Sequence, residues 1–188
     1  MHRLACLMAL ICLLLPGRPA AAEPIAAGDR LPSLRLAAPQ APEQRAYLGL
    51  APDADGFTLD EIRAPVVILE IFSMYCPHCQ REAPTVNRLY QMIEARPEWR
   101  DAVRLIGIGV GNSAYEVGFF KETYGIQFPL IPDGDFTVHN ALGKPRTPYF
   151  LVIRIGDDRQ SHLVYTHLGG FGDPEAFLDT AMTRAGMR

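Results

Sequence analysis

Two cysteines separated by two residues, Cys76-Pro77-His78-Cys79, stand where an apolar run gives way to a helical pattern. Val66-Val67-Ile68-Leu69 leads through Glu70-Ile71-Phe72-Ser73-Met74-Tyr75 into the pair. The run has the composition of a buried central strand. Pro77 suits the first turn of a helix, where its missing N–H is not needed. A Cys-x-x-Cys at such a corner is a redox device with a mechanism. Free N–H groups and the helix dipole stabilise an anion at that end. Cys76 is therefore expected to be the exposed thiolate of lowered pKa. Cys79, one turn on, is expected to be the buried, resolving thiol. His78, when charged, adds to the stabilisation of the thiolate, or else is an exposed bystander. A stabilised thiolate favours the reduced form and makes the disulfide a stronger oxidant.

Other uses of the pair fit less well. Structural zinc needs four ligands, and there is no second Cys-x-x-Cys. A disulfide closing so short a loop constrains the unfolded chain little.

Cys6 and Cys12 belong to a different segment. Arg3 precedes the apolar run Leu4 to Leu15, which is short for a bilayer span, and Pro16-Gly17 breaks it. Ala20-Ala21-Ala22 then offers an Ala-x-Ala cleavage site. Residues 1–22 read as a signal peptide and 23–188 as a single domain exported to a periplasm-like compartment. Retention as an uncleaved anchor is the alternative. A lipoprotein reading meets Ile11 where a small residue is expected before Cys12. Removing the segment takes away Arg3 and Arg18, leaving 16 Lys and Arg against 21 Asp and Glu, a net charge of −5. Neither nucleic acid nor an anionic membrane surface is expected as a partner. Cys76 and Cys79 are then the only cysteines, too few for a disulfide-stapled scaffold.

Leu31 to Leu36 alternates as a short edge strand, and residues 51–56 form a turn. Phe57 to Ile62 reads as a short strand running into a docking turn. Residues 37–56 carry the weakest pattern and read as a loop insertion. Pro77 to about Ala95 forms the first helix, with a kink expected at Pro84. Val103 to Val110 is a second buried strand. Its glycines lack the spacing of a phosphate loop. Tyr115 to Tyr124 forms a helix ended at Gly125. Phe128 to Pro132 is extended, and Phe136 to Leu142 is a short helix. Thr147-Pro148 opens a strand, Gly156-Asp157-Asp158 turns it, and Ser161 to Leu168 returns. Asp173-Pro174 starts the last helix. This α/β order predicts a mixed sheet flanked by helices.

The chain resembles the thioredoxin superfamily over nearly all of residues 57–188. The likeness rests on Cys76-x-x-Cys79 at the corner, an acid in the preceding strand at Glu70, and Thr147-Pro148 before the hairpin. It implies a thioredoxin-like fold with an N-terminal extension and a strand–helix insertion, and a cis Pro148 facing the cysteines. Cys76-x-x-Cys79-x-x-Glu82-x-Pro84 and Tyr124-Gly125-Ile126-Gln127-Phe128-Pro129 resemble the exported TlpA/ResA-like thiol-disulfide oxidoreductases. The Pro77-His78 dipeptide and Glu70-x-Phe72-Ser73 are similar to DsbA. The two likenesses leave the direction of electron flow open. A peroxidase motif needs proline and threonine where this chain has Leu69 and Ser73.

On this reading Cys76 is the nucleophile and Cys79 resolves the mixed disulfide. Glu70, buried on its strand, has a raised pKa and shuttles the Cys79 proton. Pro148 shapes the peptide-binding surface, and the Thr147 backbone pairs with an extended substrate. Tyr75 shields Cys76 or is an ordinary loop aromatic. Glu82 points to the site or to solvent. His139, His162 and His167 read as surface or strand residues. The expected substrates are protein thiols and disulfides, and a redox partner, membrane-bound, resets the pair. No organic cofactor and no resident metal are expected, and the chain is expected to be monomeric. The alternative is a copper or other soft-metal carrier using the same cysteines.

Overall fold

The computed structural model describes residues 23–187, so the signal peptide assigned to residues 1–22 lies outside the described residues. The chain runs β1 (Leu36–Ala37), α1 (Pro42–Leu48), β2 (Gly56–Phe57), β3 (Val66–Phe72), α2 (Pro77–Ala95) and α3 (Pro97–Arg100). It continues through β4 (Val103–Val110), α4 (Ala114–Tyr124), β5 (Leu130–Asp133), α5 (Thr137–Ala141), β6 (Tyr149–Ile155), β7 (Ser161–Leu168) and α6 (Pro174–Arg184).

Five strands form the main sheet in the order β5-β4-β3-β6-β7. β4 and β5 run parallel to β3, and β6 runs antiparallel to it. β3 is central and every one of its residues is buried. Its period-2 alternation assigns each side chain to a face. Val67, Leu69 and Ile71 pack with β1, β2, α1 and α5 in one core. Val66, Ile68 and Phe72 pack with α2, α4 and α6 in the other. Glu70, between Ile68 and Phe72, shares the parity of the second face, the one covered by the helix that carries Cys79.

The glycines of β4 serve packing. Gly107 and Gly109 pair with Glu70 and Phe72 across the ladder. A Cβ on Gly109 would lie 2.7 Å from Val117 and 3.2 Å from Phe72. Their absence lets Phe72 stack on Phe120 of α4, with ring centroids 4.8 Å apart. Gly109→Ala is expected to lower stability by about 1–3 kcal/mol through overpacking, as read by urea unfolding. An unchanged midpoint would contradict this packing.

The N-terminal half differs from its sequence pattern. The strand expected over Leu31 to Leu36 reduces to Leu36–Ala37, with a single bridge from Arg30 to His162. Pro32 has no N–H to give a ladder. The stretch read as a loop insertion contains α1, opened by Pro42 and ended by Gly49 at φ 72°. Phe57 pairs with Leu36, and the following Leu59–Glu61 is a 3₁₀ turn. That turn is closed by a capping box, in which Thr58 N–H donates to Glu61 Oε2 at 2.6 Å. α2 runs unbroken through Pro84. The extended segment near Pro129 supplies β5, the edge strand beside β4.

Candidate active site

Cys76 is the N-cap of α2 and Pro77 its first residue. The buried strand β3 ends four residues earlier, so the loop Ser73 to Tyr75 turns the chain directly into the helix. Cys76 N–H donates to Ser73 O at 3.0 Å and closes that turn. The Met74 peptide is held from both sides. Its N–H donates to Asn112 Oδ1 at 2.9 Å, and its carbonyl accepts from Gln80 Nε2 at 2.7 Å. Asn112 is fully buried at the end of β4. These two amides fix the approach to Cys76, and sequence reading missed both. The available signal was a lone amide directly after an apolar strand, at the end where a parallel sheet presents its site.

The two thiols differ sharply. Cys76 is partly exposed and Cys79 buried. The Cys76 thiol donates to Thr147 O at 3.4 Å. Partial burial pushes its pKa up. The Thr147 side chain, the Cys79 N–H and thiol, and the His78 N–H outweigh that and hold it below the ordinary thiol value. The helix-end amides thus favour the thiolate, in the same sense as the field of the helix N-terminus. Burial pushes the Cys79 thiol well above the usual range. The Ser73 N–H opposes this, while the bond to Cys76 and the Glu70 charge add to it. In the reduced protein iodoacetamide is expected to alkylate Cys76 at least ~10-fold faster than Cys79 near neutral pH. Peptide mapping reads the ratio, and equal labelling would contradict the asymmetry.

Glu70 is 3% exposed. Burial, and next the charge of Glu82, push its pKa up to about 8. The Thr147–Pro148 peptide is cis. Pro148 O accepts from Gly169 N at 2.9 Å, tying the strand start to the end of β7.

The remaining candidates bear on the thiols less directly. The His78 ring faces Arg81, whose guanidinium lies 2.9 Å from Nδ1. What His78 brings to Cys76 is its backbone N–H. Tyr75 is 65% exposed, and its hydroxyl bonds to Glu116 of α4. It is latched sideways rather than laid over Cys76. Glu82 points neither at the sulfur nor at open solvent. Its carboxylate accepts from Phe171 N–H at 3.1 Å and packs on Gly170, where a Cβ would lie 2.3 Å from Oε2. It braces the loop after β7, while its charge reaches Glu70. His139 is half-buried, and its Nε2 lies 3.0 Å from Pro145 O, stapling the loop that leads to Pro148. Among the described residues no group of three or more His, Cys, Asp or Glu side chains is arranged to hold a metal ion.

The comparisons agree with this architecture. A thiol-disulfide oxidoreductase ResA from Halalkalibacterium halodurans is 26% identical over 68% of this chain and 68% of its own length. A ResA from Geobacillus thermodenitrificans is 30% identical over 52% of this chain and 54% of its own, so the chain spans about half of that relative. Among solved structures, a secreted Mycobacterium tuberculosis disulfide oxidoreductase homologous to E. coli DsbE superposes with a TM-score of 0.53. That match has 18% identity and covers 69% of this chain and 90% of the other. The fold is thioredoxin-like. The AhpC/TSA family pattern spans residues 29–164, which include β3, the cysteine pair, Pro148 and the first half of β7. The chain belongs to the AhpC/TSA family.

Proposed function

We propose that the chain is an exported thiol-disulfide oxidoreductase that exchanges disulfides with protein cysteines through Cys76 and Cys79. The observation that carries this is the asymmetry of the pair. An accessible thiol of lowered pKa, 3.4 Å from Thr147 O, stands in front of a buried thiol of raised pKa. The names of the relatives and the apolar N-terminal run support the reading.

In the reducing direction the Cys76 thiolate attacks one sulfur of a substrate disulfide. The Cys76–substrate bond forms, the substrate S–S bond breaks, and one substrate thiolate leaves and takes up a proton. Cys79 then gives up its proton and attacks Cys76 sulfur, releasing the second substrate thiol. The substrate gains two electrons and the pair loses them. A relay group works best with a pKa near the working pH. Glu70, at about 8 and on the Cys79 face of the sheet, meets that condition. The Thr147 backbone is the edge along which an extended substrate lies. A membrane-bound partner returns the pair to its starting state. The cysteines carry the electrons themselves, so the proposal includes no organic cofactor.

The test is catalysed reduction of a protein disulfide by the mature protein, with dithiothreitol as electron source, against a Cys76→Ser control. Turnover that the control lacks is expected. Equal rates with both proteins would contradict the proposal.

A further inference from the structure

Five large apolar side chains are substantially exposed among the described residues: Tyr75, Tyr115, Phe119, Phe136 and Leu168. All five lie at one end of the sheet. Tyr75 follows β3, Tyr115 and Phe119 follow β4, and Phe136 follows β5. Leu168 ends β7, which runs parallel to β3 because both are antiparallel to β6. This is the end that carries Cys76. Exposed apolar groups gathered on one face mark a surface that docks another molecule.

Charge divides that face. On one side of Tyr75 lies a cleft of about 560 Å³, lined by Phe136, His139, Lys144, Arg146 and Thr147 among others. Lys144 and Arg146 are exposed. Among the described residues the ion pairs are Arg35–Asp55 and Arg96–Glu175, so neither cation is neutralised. The two carboxylates that precede this loop in sequence are committed elsewhere. Asp133 is buried and accepts from the N–H groups of Val138 and His139. Asp135, which is exposed, accepts from Thr137 N–H. The loop is held in shape as well. Lys144 sits at φ 57°, its N–H donates to His139 O at 2.9 Å, and the His139 ring meets Pro145 O. On the other side of Tyr75, toward α4, the charge is negative, with Glu116 bonded to the Tyr75 hydroxyl. A chain of net charge −3 thus presents an unpaired cationic rim directly beside its reactive thiol.

We infer that the cleft between Tyr75 and the 144–147 loop takes an acidic stretch of the substrate polypeptide, adjacent to its reacting cysteine, on Lys144 and Arg146. The inference rests on the redox reading above and deepens it by naming the substrate class. Carboxylates at this rim gain local attraction against the repulsion of the rest of the protein, and that gain is screened by salt.

The experiment uses the reduced mature protein and two cysteine peptides, each blocked as a mixed disulfide with 2-mercaptoethanol. In one the cysteine is flanked by aspartates and glutamates, in the other by lysines. Bis(2-hydroxyethyl) disulfide is the neutral reference, and glutathione disulfide is run beside it. The acidic peptide is expected to react about ten-fold faster than the basic one at low salt. The preference should fade in about 1 M salt and collapse toward unity in Lys144→Gln/Arg146→Gln. The salt arm reads the wild-type protein alone, so the result does not depend on the variant folding. Equal peptide rates, or a basic preference, with the neutral disulfide turned over would overturn this inference alone. Preference for glutathione disulfide over both peptides would reassign the cleft to a small acidic thiol and overturn it also. Inertness toward all four would overturn the redox reading and this inference with it.

Discussion

Cys79→Ser is expected to convert the protein from a multiple-turnover exchanger into a trap. Cys76 keeps its lowered pKa sources in the Thr147 side chain and the helix-end N–H groups, so the first attack proceeds. The second cannot, because no thiol stands behind Cys76. A stable mixed disulfide with the substrate accumulates at one per chain, visible as a mass adduct that dithiothreitol removes. Cys76→Ser removes the attacking sulfur itself and is expected to cut turnover by ~10³-fold or more. Cys79 does not replace it, since it is fully buried and holds its proton. A Cys79→Ser protein that turned over normally would contradict these roles.

The second large effect belongs to Glu70. Its carboxyl is pushed from an ordinary 4.5 up to about 8 by burial and by Glu82. Between those values the folded protein holds a proton that the unfolded chain has released. Stability therefore falls as pH rises through this window, and is fully present below about 4.5. At about 1.36 kcal/mol per unit the cost above pH 8 is about 5 kcal/mol. Glu70→Gln removes the titration and keeps the shape. Its stability relative to the parent is expected to grow by about 4 kcal/mol between pH 5 and pH 8.5 in denaturant unfolding of the reduced proteins. A difference independent of pH would contradict the buried, raised carboxyl. The same variant is expected to lose the limb of the turnover profile near pH 8, because Cys79 loses its relay.

Much of this was readable from residue order. Buried strands such as Val103–Val110 and helices with strong punctuation, such as Pro77 to Ala95 and the Asp173-Pro174 start, follow local rules that tertiary packing does not override. The cysteine pair and Thr147-Pro148 are short motifs whose positions fix their meaning. The illegible parts depend on contacts distant in sequence. α1 lies in a stretch rich in alanine and proline and is held by Leu48 in the core. Asn112 reaches Met74 across 38 positions, and Glu82 reaches Phe171 across 89. Nothing in either local pattern names the partner. His139 read as a surface residue because its target, Pro145 O, is a backbone carbonyl that carries no side-chain signal. His78 was read through its ring, while the structure uses its amide.

The decisive measurement is the thiol–disulfide equilibrium of the Cys76–Cys79 pair in glutathione and dithiothreitol buffers, with metal analysis of the same samples. A redox-exchange pair gives one two-electron transition, about 30 mV per tenfold change. The disulfide then maps to Cys76 and Cys79, and the reduced form carries no stoichiometric metal. Thiols that resist oxidation at every poise while holding a tightly bound soft metal would make the protein a carrier and contradict the oxidoreductase.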